Sequence, residues 1–137
     1  MMAAGLPSRA MVRAVHALAL LALCAAYLQG GLTKALDFDA AIAEMRHFGL
    51  QPAAPVAGAV ILLELLASAL VIAGWFRWLG ALSLALFTLA ASVVANPFWA
   101  MAGEARFLAT NAFFEHVGLA GGLVLVAWHD LARDSHG

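Results

Sequence analysis

Apolar residues form four long runs along the chain, and short polar stretches separate them. The runs cover residues 14–33, 56–75, 79–95 and 111–128. Each run approaches the roughly 20 residues with which an α-helix crosses the hydrocarbon core of a bilayer. Because the connections are short, consecutive helices are expected to run antiparallel. The pattern predicts an all-α membrane protein, with residues 1–137 folded as one domain, an antiparallel bundle of four transmembrane helices.

The most polar segment of the chain, residues 37–49, lies between the first and second runs. Its apolar positions are Phe38, Ala41, Ile42, Met45 and Phe48, and charged residues occupy several of the others. Apolar residues at this helical spacing indicate an amphipathic helix. We therefore expect a short interfacial helix on the membrane surface between spans 1 and 2.

The remaining polar segments mark the expected ends of the spans. We expect the first helix to end at Gly30-Gly31. We expect a loop with Gly103, Glu104 and Arg106 to precede the fourth helix. Polar residues also precede residue 14 and follow residue 128. A positive start before an apolar run is also typical of a signal peptide. The first run exceeds the 7–15 residues of such a core, which favours a retained span.

Composition agrees with a membrane protein and excludes other classes. The chain is 65% hydrophobic and 11% charged, against about 45–50% and 25% in soluble domains. A net charge of -1 gives no basic surface for nucleic acid. The single cysteine excludes an internal disulfide, and no Cys/His spacing indicates a metal site.

The orientation follows from the basic residues in the short polar segments. Four spans place both termini on one side. That side carries Arg9, Arg13, Arg77 and Arg133, and the other carries Lys34, Arg46 and Arg106. The positive-inside rule then favours cytoplasmic termini, in a cytoplasmic (inner) membrane of the bacterial type.

Glu64 is the only charged residue in the second run. A carboxylate near the bilayer centre costs about 2.5–3.5 kcal/mol on insertion scales. Pro55 precedes this span, and a rise of 1.5 Å per residue places Glu64 roughly 13 Å below it. At that depth Glu64 must face protein or trapped water, find a partner, or hold a proton. We interpret it as a candidate proton carrier.

Further polar residues are expected at the end of the bundle that carries the interfacial helix. The candidate ligand-binding residues are Gln29, Lys34, Asn96, Asn111, Glu115 and His116. In the fourth span Asn111 and Glu115 share a face with Gly118 and Gly122, a G-x-x-x-G pair that permits close helix packing. This face is therefore expected to be packed. The placement predicts a polar pocket that deepens toward Glu64, with Asn111 and Glu115 at its mouth.

Structural roles explain several of these residues as well. Glu64 and Lys34 can form an ion pair that only locks the bundle, and Lys34 can be an interfacial anchor. Glu115 and His116 can lie at the interface with their polar groups in water. Intrinsic haem is not expected, because His16 and His116 lie at opposite ends of their spans and cannot share one iron.

Several short motifs, in order, resemble those of the DoxX-like small membrane proteins between about Ala14 and Trp128. They are Gly30-Gly31-Leu32-Thr33-Lys34, Glu64 among leucines, Gly74-Trp75-Phe76-Arg77-Trp78, Asn96-Pro97-Phe98-Trp99, and Phe113-Phe114-Glu115-His116 with Gly121-Gly122-Leu123. Asn96 stands where the family often has histidine, and Glu115 where it often has lysine. The resemblance implies a four-helix membrane protein and a link to quinone-dependent oxidoreductase assemblies.

Three functions are compatible with these features. The first is an accessory subunit of a quinone-linked membrane redox system, with Glu64 as proton carrier, Lys34 as its charge partner and a membrane oxidoreductase as partner. The second is a non-enzymatic scaffold or assembly partner, in which the two residues form a structural pair. The third is a small-molecule or proton-coupled permease, which would act as a homo-oligomer because four short spans leave little room for a pathway.

Overall fold

Five α-helices make up most of residues 5–137, the range that this computed structural model describes. They are α1 (Arg9–Leu36), α2 (Phe38–His47), α3 (Ala53–Ala73), α4 (Arg77–Ala95) and α5 (Gly103–Asp134), with a 3-10 turn at Phe98–Ala100. The helices α1, α3, α4 with its following turn, and α5 are long and apolar enough to span a membrane, which confirms the four expected spans. Residues 1–4 of the expected N-terminal arm lie outside the described range.

Several helices extend beyond the apolar runs. α1 begins at Arg9, where the Ser8 hydroxyl accepts a hydrogen bond from the Met11 amide, and continues through Gly30-Gly31. α5 begins at Gly103, so the expected loop around Glu104 and Arg106 is wrong: these residues are helical. An apolar run measures the hydrocarbon depth, whereas helical hydrogen bonds continue to satisfy the backbone beyond it.

The turn between α3 and α4 reverses the chain within three residues. Gly74 and Phe76 both have positive φ, at 79° and 47°, and the glycine is the left-handed C-cap of α3. Arg77 Nε donates a 2.7 Å hydrogen bond to the Val71 carbonyl, which satisfies one of the free acceptors at the end of α3. α4 therefore returns antiparallel beside α3.

The transmembrane helices lie in the order α1, α3, α4, α5, and α1 touches α5 only slightly. The core between them is built from small residues and a few large apolar side chains. Its buried members are Leu20, Cys24, Tyr27, Ala67, Val71, Ala81, Leu84, Ala85, Ala120, Leu123 and Ala127. α2 packs on the outside of α3, where Ala41 and Met45 meet Ala53 and Ala57. Thus α2 covers the α1–α3 side of the bundle.

The expected packing face of α5 is wrong. Glu115 and Gly118 are exposed, and a Cβ at Gly118 would have no atom within 4 Å. The buried face instead carries Ala109, Ala120, Leu123 and Ala127. Residues 118 and 120 point about 200° apart on a helix, so only one stripe can face α4. Two stripes of small residues on α5 could each pack against α4. The alanine stripe is the one that packs, because it also buries the large apolar side chain of Leu123.

Gly80 is a close-packed glycine between α4 and α3. A Cβ at this position would lie 2.6 Å from the Ala67 carbonyl oxygen, which is backbone and cannot rotate away. Gly80→Ala is expected to separate α3 from α4 and to lower the free energy of unfolding by about 1–3 kcal/mol, because it overpacks the core. Thermal unfolding in detergent measures the effect.

Gly118→Ala is the matched control, since its methyl group enters open space. It is expected to change the free energy of unfolding by no more than about 0.5 kcal/mol. Equal losses in the two variants would contradict the packing described for α3 and α4.

Candidate functional site

Glu64 and Lys34 form an ion pair between α3 and α1. Glu64 lies in the interior of α3 and is only 4% exposed. Lys34 lies in the last turn of α1, and its Nζ is 3.2 Å from Glu64 Oε1. The second carboxylate oxygen, Oε2, is buried and has no hydrogen-bond partner within residues 5–137. One oxygen of the carboxylate is therefore without a hydrogen-bond donor.

Two glycines in α1 give the pair its space. A Cβ at Gly30 would lie 3.0 Å from Glu64 Oε2, and a Cβ at Gly31 would lie 2.7 Å from Leu65 Cδ2. Side chains at these positions would push α1 away from the carboxylate. The sequence pattern suggested only that these glycines end a helix, because it could not show that α3 passes directly over them.

A cavity of about 350 Å³ opens beside the ion pair, between α2, α3, α4 and the end of α1. Its size is within the roughly 300–1,000 Å³ of small-molecule sites. Three charged residues line it: Lys34, Glu44 and Glu64. The other lining residues are Met45, Phe48, Leu50, Val60, Phe87, Ala90, Ala91, Val94 and Ala95. The cavity therefore suits a mostly apolar molecule with a small polar group.

Glu44 is a member of this cavity that the sequence pattern did not single out. It lies on α2, next to Met45, whose side chain packs against α3. The apolar spacing of α2 predicted a helix with a buried face, but not where that face docks. With Glu44, the cavity carries two carboxylates and one ammonium group, a formal charge of -1.

The other predicted site residues do not line this cavity. Gln29 is exposed, and its Nε2 donates to Thr33 Oγ1 at 3.1 Å. Asn96 is half-buried and is the C-cap residue of α4. His116 Nδ1 lies 3.2 Å from Ser92 Oγ, between α5 and α4.

The expectation that Asn111 and Glu115 shape the mouth of the cavity is wrong. Both side chains are exposed on α5, and neither is among the lining residues. Their predicted grouping with Glu64 rested on depth along the span alone. Depth fixes height in the membrane but not the direction around the bundle axis, and no residue of α5 lines this cavity.

A second polar contact crosses the core close to the ion pair. Thr88 Oγ1 donates to the Leu84 carbonyl at 2.6 Å, so the Tyr27 hydroxyl must donate to Thr88 Oγ1. This hydrogen bond ties α1 to α4. Ser68 Oγ, one helical turn beyond Glu64, is also buried, and it has no hydrogen-bond partner within residues 5–137. No three His, Cys, Asp or Glu side chains among residues 5–137 are grouped to hold a metal ion.

Comparison with protein families gives one match. The family model described as DoxX matches residues 16–97, which include α1 from His16 onward, α2, α3 and α4. The matched segment contains Gln29, Lys34, Glu64 and Asn96, and ends before Asn111, Glu115 and His116. Comparison with curated proteins and with solved structures gave no match.

Lys34→Met is expected to lower the free energy of unfolding by about 3 kcal/mol, because it leaves the buried carboxylate of Glu64 without its cation. The double variant Lys34→Met/Glu64→Leu is expected to recover most of that loss, since no buried charge remains. Chemical or thermal unfolding in detergent measures both. Arg46→Met, at an exposed position on α2, is the matched control and should stay near wild type. A double variant no more stable than Lys34→Met would contradict this account of the pair.

Proposed function

The chain belongs to the DoxX family, and from that premise we propose that it is an accessory subunit of a quinone-linked membrane redox system. The cavity beside Glu64 would bind the quinone head group. A membrane oxidoreductase partner would exchange the electrons, since the chain itself is proposed to carry no intrinsic cofactor.

One observation carries this proposal: Glu64 lines a cavity, and its buried Oε2 has no hydrogen-bond partner within residues 5–137. Buried polar atoms in proteins are nearly always hydrogen-bonded, and an unsatisfied one in hydrocarbon is costly. A ligand that donates a hydrogen bond, or a proton on the carboxylate, removes this cost. The apolar remainder of the wall matches a molecule that is mostly ring and hydrocarbon.

The residues present fit a quinone head group by their chemistry. The Lys34 ammonium is a hydrogen-bond donor for a carbonyl oxygen, and the Glu64 carboxylate is an acceptor for a hydroxyl. A bound quinone would supply two-electron, two-proton redox chemistry. The chain's own residues would orient the head group, exclude water through the apolar wall, and hold a proton at Glu64 Oε2.

A scaffold is the second candidate, and the ion pair itself favours it. The 3.2 Å contact between Lys34 and Glu64 and the glycine packing of Gly30 and Gly31 hold α1 against α3. In this function the pair only shapes the surface on which a partner subunit assembles. A permease uses the same carboxylate and would show uptake that depends on a proton gradient and on Glu64.

We also propose the orientation of the multi-pass chain. With four candidate spans, residues 8 and 135 would lie on one side of the membrane. Arg9, Arg13, Arg77 and Arg133 lie on that side, against Lys34, Arg46 and Arg106 on the other, which favours cytoplasmic termini in a bacterial-type inner membrane.

Glu64→Gln is expected to weaken quinone binding by about tenfold or more, because the charge-assisted hydrogen bond and the proton site are both lost. Native mass spectrometry of the gently solubilised protein, titrated with a short-chain ubiquinone, measures the binding. Glu115→Gln is the matched control, since this glutamate is exposed on α5 and lies outside the cavity. It should bind quinone as wild type does.

Ala91→Phe separates the redox function from the scaffold. It fills the cavity from α4 and leaves Lys34 and Glu64 intact, so it should abolish quinone binding and keep the partner. Unchanged quinone binding in both Glu64→Gln and Ala91→Phe would rule out the proposed site. Loss of thermal stability and of the co-purified partner in Glu64→Gln, with quinone binding intact, would establish the scaffold.

Cysteine labelling tests the orientation. Cys24 is fully buried, so the wild-type chain should not react with a membrane-impermeant maleimide. Ser135→Cys is expected to be labelled in inverted vesicles and not in intact spheroplasts, and Gln51→Cys in the opposite pattern. The reverse result would place the termini outside.

A further inference from the structure

A second cavity lies between α1 and α5 at the end of the bundle that carries the chain termini. Its volume is about 510 Å³, and it shares no lining residue with the cavity beside Glu64. α1 and α5 supply most of its wall, and Arg77 at the start of α4 completes it. The cavity therefore belongs to a different site from the one proposed for quinone.

The polar part of this cavity is basic. It contains two arginines and two histidines against a single acid: Arg77, Arg133, His16, His129 and Asp130. With neutral histidines the formal charge is +1. Asp130 Oδ2 accepts a 2.9 Å hydrogen bond from the Trp78 amide, so this carboxylate already serves the N-terminus of α4 and is partly satisfied.

The arginines retain donors for a ligand. Only the Nε of Arg77 is bonded within the described residues, to the Val71 carbonyl, and an arginine carries five N–H groups. Arg133 is exposed in the last turn of α5. Both lie at the ends of spans, where phospholipid headgroups are found.

The rest of the cavity is apolar. Ala19, Leu20 and Leu23 of α1 face Leu125 and Val126 of α5 across it. These residues lie further into the spans than the arginines do. A molecule that matches this cavity has an anionic group for the basic end and hydrocarbon for the space between the helices.

We propose that this cavity binds an anionic phospholipid, with its phosphate at Arg77 and Arg133 and part of an acyl chain between α1 and α5. Charge complementarity supports the headgroup, because basic pockets between transmembrane helices recognise such groups. The apolar part of the cavity supports a lipid over free phosphate, because phosphate has no hydrocarbon to pack against Leu20, Leu23 or Leu125. The site is independent of the proposed quinone function.

The test uses the full-length protein in detergent and follows retained lipid by native mass spectrometry. Phosphatidylglycerol is titrated against phosphatidylcholine with the same acyl chains. The wild type should prefer phosphatidylglycerol, and Arg133→Gln should weaken its binding by about fivefold. Arg13→Gln is the matched control: the same charge is lost on the same side, outside the cavity, so the change should stay below about twofold.

Ala19→Phe tests the apolar depth without altering a charge. It should lower phosphatidylglycerol binding while inorganic phosphate fails to displace the lipid from the wild type. Equal losses in Arg133→Gln and Arg13→Gln, or equal binding of the two lipids, would overturn the proposal. Displacement by inorganic phosphate would assign the basic end to a free anion instead, and dimer loss in Ala19→Phe with lipid binding intact would assign the cavity to a second copy.

Discussion

A buried charge pair constrains how α1 meets α3 in a medium that tolerates few charges. Glu64 lies inside α3, and Lys34 reaches it from the end of α1 at 3.2 Å. The pair constrains its neighbours, because the carboxylate needs both the ammonium group and the space above Gly30 and Gly31. Taking charges out of water costs several kcal/mol per ion, and only good geometry offsets that cost. α1 is therefore held to α3 by chemistry as well as by packing.

The sequence predicted the spans because the bilayer imposes a length and a polarity on each one. Apolar runs and short turns are enough for four antiparallel helices, and one acid among leucines is enough to select Glu64. The pairing with Lys34 followed from depth, since both residues belong to the same half of the membrane. Those parts of the architecture are set by one-dimensional features of the chain.

Direction around the bundle axis was not readable in the same way. Glu115 and His116 are adjacent in sequence, yet Glu115 is exposed while His116 contacts Ser92 of α4. α5 offers one stripe of glycines and one of alanines, and only tertiary packing decides between them. Glu44 shows the same limit: its helix was predictable, but its place in the cavity depends on where α2 docks. Helix ends were also underestimated, because polar residues beyond the hydrocarbon continue the helix.

The limited contact between α1 and α5 leaves a cavity between these two helices. A phospholipid bound there would enter from the surrounding leaflet and not from the aqueous phase. Its effective concentration is then its mole fraction among the surrounding lipids, which dilution of the buffer does not change. Occupancy of this cavity would therefore follow the lipid composition of the membrane in which the protein resides. The same chain would bind different lipids in different membranes.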